Sequence, residues 1–245
     1  MLSELSNVQL PPHEPGVVRR AVNHFLQKNE GDIMVTDVRC VPPDFHARFK
    51  ALKRTYHYRI LSGPEPLSAF EKNRAWHVPE DLDITAMNRA SSILVGHHDF
   101  SSFRAAGCQA NSPMRTLDEL AVTEVLPALY FPSITERSAT ELLDLDTSRR
   151  FSTSSDASDA KMVKSENRRE FGHRVRHRCF VVTARSRSFL YHQVRLMVGV
   201  LKSVGTGDLT VSDVERILDA KTVTVASPMA PGCGLYLGNV KYDLP

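Results

Sequence analysis

Lys50 to Leu61 reads KALKRTYHYRIL, and its alternation decides the fold. In a strand, successive side chains point to opposite faces of the sheet. Leu52, Arg54, Tyr56, Tyr58 and Ile60 then share one face, while Lys53, Thr55, His57 and Arg59 share the other. Arg54, Tyr56 and Tyr58 therefore project together. Upstream, Pro42-Pro43 cannot donate to a ladder and ends a second predicted strand, Ile33 to Val41. Before it, Pro15 to Asn29 sets Val18, Ala21, Val22, Phe25 and Leu26 on one stripe at helical spacing, with Pro15 suited to the first turn and Gly31 past the end.

Downstream, Asp83 to Val95 has helical periodicity through Ile84, Met87, Ser91 and Leu94, with Gly96 as its expected stop. His98 to Arg115 reads as a polar loop, and Leu117 to Val125 as a strand. From about Pro127 to Arg174 the apolar pattern collapses into a Ser-, Asp- and Lys-rich stretch, expected to be a disordered insert. Arg178 to Arg185 resumes as a strand, followed by a buried helix from Phe189 to Val204. Thr210 with Asp213 makes a capping-box start for a helix through Ile217 and Leu218, and Gly234 to Tyr242 is the last strand. Strands alternating with helices predict an α+β fold, with helices packed on one side of a mixed, mainly antiparallel sheet.

The chain has 245 residues, 42% of them apolar, enough for one large domain or two small ones. No run of eighteen apolar residues is present, so no membrane span is expected. Met1 to Gly16 shows neither a basic start nor an apolar stretch, and no targeting segment is legible there. Cys40, Cys108, Cys179 and Cys233 are scattered without zinc-site spacing, which predicts free thiols and no metal.

Net charge is only +3, but its distribution is informative. Between Asp44 and Glu65 stand Arg48, Lys50, Lys53, Arg54 and Arg59 with no acid among them. Phe171 to Gly207 is likewise acid-free and holds Arg174, Arg176, Arg178, Arg185, Arg187, Arg195 and Lys202. Aromatics interleave both tracts: Phe45, Phe49, Tyr56 and Tyr58 in one, Phe180, Phe189 and Tyr191 in the other. Such tracts are either solvated strand faces or a surface that neutralises phosphates and stacks bases.

Five ordered segments, DFHARF (Asp44–Phe49), TYHYRI (Thr55–Ile60), GHHDFSSFR (Gly96–Arg104), SFLYHQVRLMVG (Ser188–Gly199) and GLYL (Gly234–Leu237), resemble the TruA family of tRNA pseudouridine synthases. The resemblance covers nearly the whole chain except the insert. It implies a pseudouridine-synthase-like fold of two ferredoxin-like halves, the first incomplete. Residues 1–62 would be the remainder of the first half, residues 63–126 and 175–245 the second, and 127–174 the insert.

The activity implied is isomerisation of uridine to pseudouridine in the anticodon stem-loop of tRNA, with no cofactor and no metal. The first tyrosine of the family's Tyr-x-Tyr pair, against the target uracil and able to take the C5 proton, falls on Tyr56. Its helix arginine falls on Arg195, and an apolar wall beside the uracil on Leu235. His46, Arg48, Arg54, Phe103 and Arg104 fall in motifs near the RNA-binding cleft. Leu235 could equally be plain core, and His46 a hydrogen-bonded structural histidine.

The family's nucleophilic aspartate lies in an Arg-Thr-Asp loop near the N-terminus, and no such run occurs in these 245 residues. Asp32, Asp99, Asp156 and Asp159 lack the right context to replace it. Without that partner, Arg195 either reaches solvent or pairs with another acid. The expectation is an N-terminally truncated synthase, inactive alone. The alternatives are a non-catalytic tRNA-binding isoform and an unstable fragment. Lost opening strands predict an uncovered apolar face, with poor solubility or self-association. The resemblance further implies a homodimer and, through the animal branch, a mitochondrial full-length protein, with cytoplasm or nucleus open to this chain.

Overall fold

The computed structural model describes residues 13–29, 33–125, 177–223 and 228–244. Four α-helices and six strands lie among them: α1 (Pro15–Asn29), β1 (Lys53–Ser62), β2 (Trp76–Val78), α2 (Ile84–Leu94), β3 (Gly96–Asp99), β4 (Met114–Val125), β5 (Arg178–Ser186), α3 (Gln193–Gly205), α4 (Val211–Ala220) and β6 (Leu235–Lys241). The strands form one sheet in the order β2-β1-β5-β4-β3, with β6 also on β1. Only β1 and β2 run parallel. The sheet is thus mixed and mainly antiparallel, and the fold α+β as expected. No described helix is long and apolar enough to cross a membrane.

Register explains the core. Tyr56 lies opposite Ala184, which faces Leu120, and Tyr58 lies opposite Val182, which faces Val122. These rows point to one face, where they meet Met87, Ala90 and Leu94 of α2, Met197, Val198 and Leu201 of α3, and Val214 and Ile217 of α4 in one apolar cluster. Helix α2 is started by Asp83, whose carboxylate accepts the N–H groups of Thr85 and Ala86. Helix α4 carries the expected capping box between Thr210 and Asp213.

The opposite face is polar. His57 meets Thr183 at 3.2 Å, Arg59 pairs with Glu71 at 2.9 Å, and Arg185 pairs with Glu119 at 2.8 Å. Exposed apolar side chains include Val17, Val22 and Phe25 of α1, at 45%, 38% and 65%.

Three sequence expectations need correction. Ile33 to Val41 forms no strand: Asn23 of α1 donates to Val35 O at 2.8 Å and accepts its N–H at 2.7 Å, so a side chain takes the place of a neighbouring strand. Gly96 does not merely stop α2 but opens β3 at φ +118, a conformation that side chains rarely adopt. Helix α3 begins at Gln193 rather than Phe189. Gln193 Oε1 accepts the Leu190 N–H at 2.8 Å, its own N–H donates to Leu190 O at 3.1 Å, and His192 turns left-handed at φ 60. Ser188 to His192 is therefore a pinned turn. The expected insert, 127–174, lies outside the described residues.

Candidate functional site

A cleft of about 970 Å³ opens where the N-terminal end of β1 meets the turn before α3 and the loop after β3. Tyr56 and Phe189 contribute side by side, their rings edge-to-face at 5.2 Å and 85°. Gly107, Cys108, Gln109 and Ala110 form a second wall. Arg48, Arg54, Arg115 and Arg187 also line it, and among the described residues none that lines it is Asp or Glu. Four guanidiniums with no carboxylate make a field suited to an anion.

Arg54 is more than one of these cations. Nη1 donates to Arg187 O and Nη2 to Arg48 O, each at 2.6 Å, so it ties together two segments 133 and 6 residues away. Such a fork leaves further N–H donors for a ligand. The loop wall is braced in the same manner. Arg104 donates from Nη2 to Cys108 O at 3.1 Å and Ala110 O at 2.5 Å, and the Ala105 N–H reaches Tyr191 O at 3.3 Å.

Tyr56 is half-buried, and no hydrogen bond to its hydroxyl is found among the described residues. Burial pushes this phenol above its ordinary value, while the Arg54 charge pulls against that shift. Tyr58, two residues on, is different. It is fully buried, and its hydroxyl donates to Pro231 O at 2.6 Å. One tyrosine of the pair faces the cleft and the other holds the core together.

Arg195 does not line the cleft. Its Nε donates to Ala230 O at 2.7 Å, and Nη1 lies 3.2 Å from His192 Nδ1. His192 does line the cleft, and burial followed by the Arg195 charge lowers its imidazole below the usual value. Among the described residues Arg195 makes no ion pair. Of the two sequence options, pairing with another acid is therefore not the one taken there.

Leu235 lies opposite Tyr58, and Leu237 opposite Tyr56. Neither is among the residues that line the cleft. Arg48 and Arg54 both line the cleft. His46 sits beside it, its ring 4.3 Å from Phe49.

Phe103 requires correction: it is fully buried and packs against Phe100 at 6.1 Å, so its ring supports the neighbouring loop from within the core. Arg104 acts chiefly on that loop. Arg115 and the 107–110 wall were missed because β3–β4 pairing brings them in. Asp99, one of the rejected nucleophiles, accepts the Ser101 hydroxyl and N–H, which hold it below the usual carboxylate value against the effect of burial. Among the described residues no group of three or more His, Cys, Asp or Glu is placed to hold a metal.

This geometry can be set beside known proteins. A family model described as tRNA pseudouridine synthase matches residues 90–243. A tRNA pseudouridine synthase A of Paramagnetospirillum magneticum is 37% identical over 98% of this chain and 73% of its own length. That of Rhodospirillum centenum is 40% identical over 92% of this chain and 70% of its own. That of Xanthobacter autotrophicus is 37% identical over 98% and 76%. The match runs through both walls of the cleft and most of the strands behind it, and on that extent the chain belongs to the tRNA pseudouridine synthase family.

Proposed function

We propose that this cleft receives a uridine of tRNA, in the anticodon stem-loop, for isomerisation to pseudouridine. The observation that carries the reading is a half-buried tyrosine beside four arginines in a cleft that no acidic residue lines among the described residues. Chemistry on a base requires the nucleotide to leave its stack, and an extruded base needs an aromatic surface and cationic walls for its phosphates. Tyr56 supplies the first and Arg48, Arg54, Arg115 and Arg187 the second.

In the reaction, the C1′–N1 bond breaks, the uracil turns, and C1′ joins C5. The proton lost from C5 balances the one gained at N1, so no redox partner is consumed. Tyr56 handles the C5 proton in this scheme. Its raised pKa makes the phenolate a strong base, and the Arg54 charge is the feature that favours forming it.

The sugar side of the reaction calls for a carboxylate, and among the described residues none lines the cleft. The described residues alone are therefore proposed to bind RNA without turnover, the acid being supplied from outside them. Mass spectrometry of an unmodified tRNA tests this by comparing the 245-residue chain with one carrying an added Arg-Thr-Asp segment. Product from the longer form alone supports the reading. Product from the 245 residues means that one of their own carboxylates serves.

A homodimer belongs to the same proposal, as does a mitochondrial destination for the full-length protein, with cytoplasm or nucleus open to this chain. Exposed Val17, Val22 and Phe25 support self-association. Light scattering tests the first, with a monomer overturning it, and cell fractionation the second.

A further inference from the structure

We propose that Phe49 and Tyr191 are paired stacking platforms that hold the unpaired nucleotides on either side of the target uridine. This rests on the reading of the cleft as an RNA site. Seven aromatics interleave the two basic tracts, and the structure sorts them. Phe45, Tyr58 and Phe180 are buried, and Tyr56 and Phe189 pack on one another. Phe49 and Tyr191 remain, 75% and 54% exposed, both lining the cleft.

Both exposed rings stand at the edge of a cationic cleft, where a base can lie on them. Each also has a ring beside it: His46 lies 4.3 Å from Phe49, and His192 lies 3.8 Å from Tyr191, centroid to centroid. The Tyr191 backbone is pinned at both ends, its N–H to Cys108 Sγ at 3.5 Å and its carbonyl to the Ala105 N–H at 3.3 Å. A ring held this way loses little freedom when a base lies on it.

The occupant follows from charge. Phe49 adjoins Arg48, and Tyr191 stands four residues from Arg187; Arg54 bonds the carbonyls of both those arginines. Aromatic faces set among guanidiniums, with no lining acid among the described residues, fit single-stranded nucleotides, since every base has a π face and every link a negative charge. An acidic peptide would satisfy the arginines but leave both rings without a planar partner. The substrate must then be a uridine whose neighbours are unpaired or readily unstacked.

The test uses a stem-loop RNA with a loop uridine and 2-aminopurine placed on its 5′ or 3′ side, titrated with the full chain at low and moderate salt. Stacking quenches the probe. The expected result is quenching by the wild type, its loss at one flank in Phe49→Ala and at the other in Tyr191→Ala, and affinity lowered roughly 5- to 150-fold by each. Phe49→Tyr and Tyr191→Phe should retain both. Because both rings are exposed, melting temperatures should not change. Salt-dependent binding that neither alanine alters overturns the platforms and leaves the RNA reading standing. Absence of any RNA binding by the wild type overturns both, as does binding of an acidic peptide alone.

Discussion

Arg195 and Ala230 bond to each other twice: the guanidinium Nε donates to Ala230 O at 2.7 Å, and the Ala230 N–H donates to Arg195 O at 3.2 Å. The pair fastens helix α3 to the segment that leads into β6, and β6 supplies Leu237 opposite Tyr56. One arginine thus sets the position of a strand beside the cleft.

Gly199 lies in the same contact. A Cβ there would overlap the carbonyl oxygen of Pro228, which is backbone and has no rotamer to escape by. Gly199→Ala should cost about 1–3 kcal/mol through overpacking. Thermal melting checks this: a variant that melts with the wild type would mean the 228–230 segment yields freely.

The two tyrosines should separate under the same substitution. Tyr58→Phe leaves Pro231 O without its donor and should cost about 1 kcal/mol of stability. Tyr56→Phe should leave stability and RNA affinity nearly unchanged. In the form carrying the Arg-Thr-Asp segment it should lower turnover by about 10²–10⁴-fold, the range for loss of a proton-transfer group. Denaturant unfolding and pseudouridine mass spectrometry read the two arms. Equal losses of stability in both would undo the distinction.

His192 links pH to this region. Its imidazole is lowered in the folded state by burial and then by the Arg195 charge, so the unfolded chain binds the proton more readily. The associated stability is present above the ordinary imidazole value and is lost as pH falls through the lower folded one. Arg195→Met should move the folded value upward and narrow that window, without closing it, since burial is the larger cause. NMR titration of His192 gives the shift directly, and an unmoved resonance would exclude the Arg195 contribution.

Cys108 offers a footprint of the cleft. Burial would raise its thiol, but the N–H groups of Tyr191 and Ala110 and then Arg104 hold it below the ordinary value, whereas burial pushes the Cys179 thiol up. Iodoacetamide should therefore label Cys108 well before Cys179, because the thiolate is the reacting form. Bound tRNA should protect Cys108, which lines the cleft. Peptide mass spectrometry follows both sites; labelling of Cys108 at the same rate with saturating tRNA would place the RNA elsewhere.

Sequence by itself determined the elements whose signal is local. The alternation in Lys50 to Leu61 assigned each side chain to its face, and Thr210 with Asp213 marked a helix start, because strand period and cap geometry are set by the covalent chain. The motifs from Asp44 to Leu237 also carried the family. Tertiary structure decided the rest. That Phe103 is interior, that α3 waits until Gln193, and that Arg115 joins Arg54 are outcomes of strand order, register and side-chain bonds between distant residues. No local pattern encodes them. Two residues on one strand face are equivalent to a period-2 reading; the family resemblance set Tyr56 apart, and what packs above each one leaves the first facing the cleft and the second fully buried.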